Sequence, residues 1–480
     1  MVCKGLNLCY RFVEKINPKA RKNWCISLYF LIFLFGFLYG SSILSGVHLL
    51  IKCLIGAVAM GGLILFSMDR PVTRQKWNPI LTLLWFALGC LQLLSGLLVS
   101  REYLPMACIW LVCFPLLFLV WSNRRDYEEL LRQVAVGANG VLLLMLGMCF
   151  LFFPIDANAY GGVLQNTNGL GQWCTLGFPL LLFLCTRPCS KRTKILYWVQ
   201  LSLMVLLVLL SRGRTALLAL LGMGILFFLC RGSFSPLRLK DLLLKAVSIL
   251  LTGVLACGIF SMGNQMIAPF FQKLELMPQE PLLPDGDPEI LPAFPLLPAL
   301  TPEATTPAGE STPSMLESLK IRLLGLDKAS HSMNDYSSGR TGIWKAVLLK
   351  ANLLGHPSSQ HIVTDRNGDV GNNAHNTILQ FVYDNGILSG LLFTVMMGIS
   401  GVLLLIHVIR LRKADNAELG FLLIHAGYGI TAMLSSLNLP FLYMIAFVYY
   451  LSYVSILAPR GPSTADATTE NTSPCSGGIQ

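Results

Sequence analysis

Long apolar runs alternate with short polar breaks along most of the chain, and this pattern predicts membrane-spanning helices. About twelve runs stand out, near 24–40, 44–66, 78–99, 104–122, 134–153, 169–185, 195–211, 214–230, 242–262, 387–409, 417–436 and 440–457. Each approaches the roughly 20 residues a helix needs to cross the hydrocarbon. Helix is the expected structure because lipid offers no partner to an open backbone. The expected fold class is an all-α polytopic membrane protein.

The polar breaks carry a charge signal. Breaks after even-numbered runs hold Arg70, Arg74 and Lys76; Arg124, Arg125 and Arg132; Arg187, Lys191, Arg192 and Lys194; Arg231, Arg238, Lys240 and Lys245; Arg410, Arg412 and Lys413. Breaks after odd-numbered runs are short and nearly uncharged. Basic loops stay on the cytoplasmic side, so both ends are expected inside. Residues 1–262 then hold spans one to nine, 263–386 form a large extracytoplasmic loop, and 387–459 hold spans ten to twelve. The stretch 460–480 reads as a disordered cytoplasmic tail. Within the loop, 277–313 is rich in Pro, Glu, Ala and Thr and reads as a disordered insertion. Met315–Leu326 and Arg340–Leu354 read as amphipathic helices on the membrane surface.

Composition agrees with this division. The chain has 480 residues, 54% hydrophobic and 13% charged, where a soluble domain carries roughly 25% charged residues. The formal charge of +11 sits in the breaks between runs, so it reports topology and not a nucleic-acid partner. Fourteen cysteines lie scattered with no CxxC pair and none between Gly263 and Asn385, which suits small apolar fillers. No cleavable signal peptide is expected, since the first run passes into a second without a small-residue cleavage site.

Candidate chemistry gathers at the outer face. Ser211-Arg212-Gly213-Arg214 places two arginines in an outer break, against the charge bias. They either snorkel to lipid phosphate or form an anion site, for which the planar guanidinium fork is suited. On a continuous helix the two side chains would point about 200° apart. Arg340 lies in Ser338-Gly339-Arg340-Thr341-Gly342-Ile343-Trp344, with Trp344 a candidate interface anchor. His375-Asn376 follows, with Asn372 or Asn373 as candidate caps of a helix carrying His375, Leu379, Val382 and Gly386 on one stripe. A histidine there can act as a general base near neutral pH, although His331, His356 and His361 share the loop. Gln165-Asn166-Thr167-Asn168-Gly169 opens the sixth run as a cap and turn. His48 and Lys52, four apart, share a face of the second run. Asp365 to Asp369 departs from a calcium loop, with Val370 in the glycine place and Asn376 in the glutamate place. There is no zinc pattern and no P-loop, so metal-independent chemistry without a cofactor is expected.

Together these residues resemble the O-antigen ligase and polymerase family of bacterial membrane glycosyltransferases. The likeness is carried by the architecture, by Asn166-Thr167-Asn168-Gly169, Ser211 to Arg214, Gly339-Arg340 with Ile343-Trp344, and His375-Asn376 followed by Gly386. One feature departs from the family's pattern: Ser389 stands where a second glycine is usual, with Gly390 one later. The resemblance implies transfer of a glycan from a polyprenyl (undecaprenyl) diphosphate carrier to an acceptor hydroxyl, with inversion. It implies a bacterial cytoplasmic membrane, an active site on its extracytoplasmic face, and a glycan or lipid acceptor. Arg212 or Arg214, with Arg340 and Lys52, would hold the diphosphate. His375 would take the acceptor's proton, and Asn376 and Asn168 would orient the sugar or the histidine. The competing class is a membrane transporter or flippase of lipid-linked sugars.

Overall fold

A computed structural model describes residues 2–41, 49–124, 126–155, 160–231, 236–273, 340–357, 360, 362–363, 370–371, 373–411, 416–439 and 443–458. The expectations for the 277–313 insertion, the Met315–Leu326 helix, His48, His331, His361, the 365–369 pattern and the 460–480 tail lie outside these residues. The regular elements among the described residues are helices apart from one antiparallel two-residue pair, β1 (Ile362–Val363) with β2 (Val370–Gly371). In chain order the helices are α1 (Val2–Val13), α2 (Pro18–Gly40), α3 (Leu49–Phe66), α4 (Pro79–Leu98), α5 (Arg101–Ser122), α6 (Tyr127–Phe152), α7 (Thr167–Thr186) and α8 (Lys191–Ser211). After them come α9 (Arg214–Arg231), α10 (Pro236–Lys273), α11 (Arg340–Lys350), α12 (Thr377–Asn385), α13 (Ile387–Leu411), α14 (Asn416–Ala432) and α15 (Met444–Leu457).

Eight of these helices are long and apolar enough to cross a membrane: α2, α4, α5, α6, α7, α8, α10 and α13. Shorter apolar helices fill the runs at α3, α9 and α15. Helix α10 contains the ninth predicted run and continues past Met262 to Lys273.

Short polar residues start many of the helices. The side chains of Asn17, Asn78, Asp126, Asn166, Ser190 and Asn376 each accept from a backbone N–H of the first turn. At a helix end these N–H groups have no partner within the helix. Helix α7 is central: 78% of its membrane-length window is buried, against 17% for α10 at the edge. It packs on α6, α8, α9, α14 and α15. Between α4 and α5, Trp85 and Trp110 stack with centroids 4.2 Å apart, and each indole N–H donates to the other residue's carbonyl at 3.0 Å. Leu83, Leu97, Ile259 and Met266 point outward and exposed, as a lipid-facing surface requires.

The two ends of the bundle differ. One carries ion pairs of Lys22 and Arg132 with Glu129 (2.9 and 2.8 Å) and of Arg187 with Glu128. There too Arg21 and Arg124 donate to the carbonyls of Met68 and Ser67. The opposite end receives the starts of α7, α9 and α12, and there the candidate residues lie.

Candidate functional site

Among the described residues, three non-glycines have positive φ: Gln165 (51°), Arg212 (51°) and His375 (49°). Each stands just before a helix start and within a motif singled out from the sequence. Gln165 precedes the cap Asn166 of α7, and His375 precedes the cap Asn376 of α12. Arg212 ends α8 in the left-handed conformation, and Arg214 begins α9 after Gly213. A non-glycine residue held this way costs of order 1–3 kcal/mol and persists where its surroundings over-determine it. The break expected between the seventh and eighth runs falls at Arg212 and Gly213. The chain breaks between them, and the 200° argument does not apply.

The starts of α7 and α9 come together because small residues face each other. A Cβ on Gly171 would press on the methyl of Ala216, and one on Gly213 would reach the Thr167 carbonyl oxygen at 3.8 Å. Between them lies a small, water-sized cleft lined by Thr167, Asn168, Gly213, Thr215, Thr431 and Ser435. Asn168 is exposed at its edge. The turn after α14 that forms one wall is stitched to α12. Asn376 Nδ2 donates to the Met433 carbonyl (3.0 Å), Thr377 Oγ1 donates to the Ser435 carbonyl (2.8 Å), and the Leu437 N–H donates to Thr377 Oγ1 (2.9 Å).

His375 sits one residue before this stitched cap and outside the helix, contrary to the expected helical stripe. Asn376 caps α12 by accepting from Leu379 N–H, while Asn373 Oδ1 accepts from His375 N–H (2.8 Å). Both ends of the Asn376 amide are thus engaged by protein. Among the described residues no hydrogen bond reaches the His375 imidazole. Burial pushes its pKa below the ordinary range, and the Arg340 charge pushes the same way. Arg340, the first residue of α11, is itself lowered by burial and then by the charge of Arg214. The Arg340 charge thus acts on His375, and the Arg214 charge acts on Arg340. Lys52 is buried with its Nζ 3.8 Å from the Tyr39 ring centroid, so its charge faces an aromatic ring.

Helix α11 reaches His375 through two devices. A small core of Val347, Ile362, Ala374, Val382 and Tyr383 joins α11 to α12. Trp344 Nε1–H donates to the Ala374 carbonyl (3.0 Å), so Trp344 is a tie between the two segments rather than a free membrane anchor. α11 stops at Lys350, short of the expected Leu354, because Asn352 Oδ1 accepts the N–H groups of Leu354 and Gly355 and turns the chain. The Ile387 N–H then donates to the Asn352 carbonyl (2.8 Å). Gly386 (φ 89°) allows that approach, since a Cβ there would collide with the Leu353 carbonyl. Gly390 lets α13 pack on Val382, while Ser389 is buried and donates to the Asn385 carbonyl (2.8 Å). His356 is structurally engaged, bonded to the Lys350 carbonyl at 2.7 Å and to Gln360 at 3.1 Å.

Gln380, Asp384, Ser436 and Asn438 escaped the sequence reading. The spacing of Gln380 and Asp384, four apart on a short helix, was the one local signal. No protein-family profile matches the chain, and no curated protein matches it.

Proposed function

We propose that the chain is a membrane glycosyltransferase of twelve spans, with both ends cytoplasmic and its site on the extracytoplasmic face of a bacterial cytoplasmic membrane. It transfers a glycan from a polyprenyl diphosphate carrier to an acceptor hydroxyl on a glycan or lipid. The observation that carries this reading is the Trp344 Nε1–H bond to the Ala374 carbonyl (3.0 Å), which ties the helix opened by Arg340 to the His375 turn, with the Arg340 charge acting on a desolvated His375. Cations brought together near a base suit a diphosphate leaving group and a hydroxyl nucleophile. The acceptor oxygen bonds to the anomeric carbon as the bond from that carbon to the diphosphate oxygen breaks. The electron pair leaves on the diphosphate, facing Arg340 and Arg214, and the hydroxyl proton passes to His375. One displacement inverts the anomeric carbon. Asn168, at the cleft edge, is placed to meet a sugar, whereas Asn376 acts by capping the His375 turn.

A second reading, movement of the lipid-linked glycan across the membrane, is favoured by His425. This buried ring in α14 hydrogen-bonds Ser400 (3.2 Å) and Ser452 (2.9 Å) on α13 and α15, and an ionisable group at membrane depth is a common feature of transport pathways. Vesicles holding the purified protein and carrier-linked glycan from the source cells separate the two. Transfer gives a new glycosidic bond and freed polyprenyl diphosphate, whereas transport gives the intact carrier on the other leaflet.

A further inference from the structure

The His375 imidazole receives no hydrogen bond among the described residues, so its position is set through its backbone. Asn373 holds the His375 N–H, and Trp344 holds the Ala374 carbonyl. The Ala374 N–H donates to Gln380 Oε1 (2.8 Å), which also accepts from Ser436 Oγ (3.2 Å). The other end of the Gln380 amide, Nε2, donates to Asp384 Oδ1 (2.8 Å), while Asn438 Nδ2 donates to Asp384 Oδ2 (3.0 Å). An ionised carboxylate only accepts. It therefore dictates which way the Gln380 amide faces and presents the amide oxygen to Ala374.

We propose that Asp384, acting through Gln380, is a positioning residue that holds Ala374, and with it the left-handed His375, in the geometry the transfer needs. This rests on the reading of His375 as the base. Burial raises the Asp384 carboxyl and the bonds from Gln380 and Asn438 lower it, for a net value of about 7, so these two donors favour the ionised carboxylate. The Ser436 and Asn438 contacts also couple the His375 turn to the chain segment that walls the cleft.

The hydrogen-bond pattern has a matched exchange. In Asp384→Asn an NH2 replaces one acceptor, and the Gln380 amide either faces another donor or flips and loses Ala374. In Gln380→Glu two carboxylates meet. In the double variant Gln380→Glu/Asp384→Asn, the amide introduced at position 384 donates to the carboxylate introduced at position 380 and accepts from Asn438. That carboxylate still accepts from Ala374. The experiment measures two quantities on the full-length protein in lipid: turnover with carrier-linked glycan from the source cells, and hydrogen exchange of the Ala374 amide. Each single variant is expected to lose turnover by about tenfold or more, as for one lost hydrogen bond to a charged group, with KM for the carrier unchanged. Ala374 exchange is expected to speed up alongside. The double variant restores both. Unchanged Ala374 protection in Asp384→Asn overturns the proposal, even where His375→Ala abolishes transfer. So does a double variant no better than either single variant in both measurements. If protection is lost and regained as described while the wild type transfers nothing, the link stands and the glycosyltransferase reading falls.

Discussion

The indole of Trp344 donates to the Ala374 carbonyl at 3.0 Å, and this bond joins the helix that begins at Arg340 to the turn that holds His375. A cation and a base thirty-five residues apart in the chain are thereby fixed in one frame. Trp344→Phe keeps most of the ring and removes the donor, at a cost of about 1 kcal/mol in that contact. The expected outcome is a fall in kcat of a few-fold to about tenfold with membrane insertion intact, read by turnover beside a thermal melt. Unchanged kcat contradicts the tie.

His375 is driven towards its neutral form by burial and by Arg340. A general base works when neutral, so its lowered pKa extends activity to lower pH. Arg340→Gln removes one of the two causes, and the basicity of His375 rises. The acid limb of the kcat profile is then expected to move to higher pH, in addition to any loss of carrier affinity. A limb that stays in place or moves lower would show that Arg340 does not act on His375.

Asp384 adds a pH effect of the opposite sign on stability. Its folded pKa of about 7 lies above the ordinary carboxyl value of 3.8, so the folded state binds the extra proton between these limits. Stability from this group is fully present at the acid end and is lost as pH rises through about 7. Thermal unfolding in nanodiscs is expected to show a smaller drop between about pH 4 and 7 in Asp384→Asn than in the wild type. Equal drops in the two proteins contradict this assignment.

Arg214 and Arg212 separate by geometry. Arg214 opens α9 and acts on Arg340, whereas Arg212 holds the left-handed end of α8. Arg212→Gly preserves the backbone conformation, since glycine takes positive φ readily. Arg214→Gln is expected to raise KM for the carrier by roughly tenfold or more, the scale of a hydrogen bond to a charged group. The order is read from KM at fixed acceptor concentration. A larger effect from Arg212→Gly would move the diphosphate contact to Arg212.

Much of the fold was legible because lipid reduces the choices. Apolar length placed most of the helices, and Asn166 before α7 was readable as a cap. The site was less legible where geometry depends on distant partners. Arg212 and Arg214 read as a break between two runs, but nothing local announces that Arg212 ends α8 in the left-handed conformation. His375 read as helical because its apolar neighbours repeat with helical spacing, yet Asn376 captures the Leu379 N–H and starts the helix one residue after His375. Trp344 read as an interface anchor because nothing local announces Ala374 as its partner. Asp384 needs Asn438, 54 residues away, before its role can be seen. Gly386 was expected from the resemblance, and its physical reason is the close approach of Leu353.

The central claim is that His375 takes the acceptor's proton while the cations hold the departing diphosphate. The most direct measurement compares the purified wild type with His375→Ala in nanodiscs, using carrier-linked glycan and following release of polyprenyl diphosphate together with the new glycosidic bond. The account predicts release by the wild type and a loss of roughly 10²–10⁴-fold in the variant, the scale of a general base, with carrier binding retained. Undiminished release by His375→Ala, or a wild type that moves the carrier without cleaving it, would contradict the account.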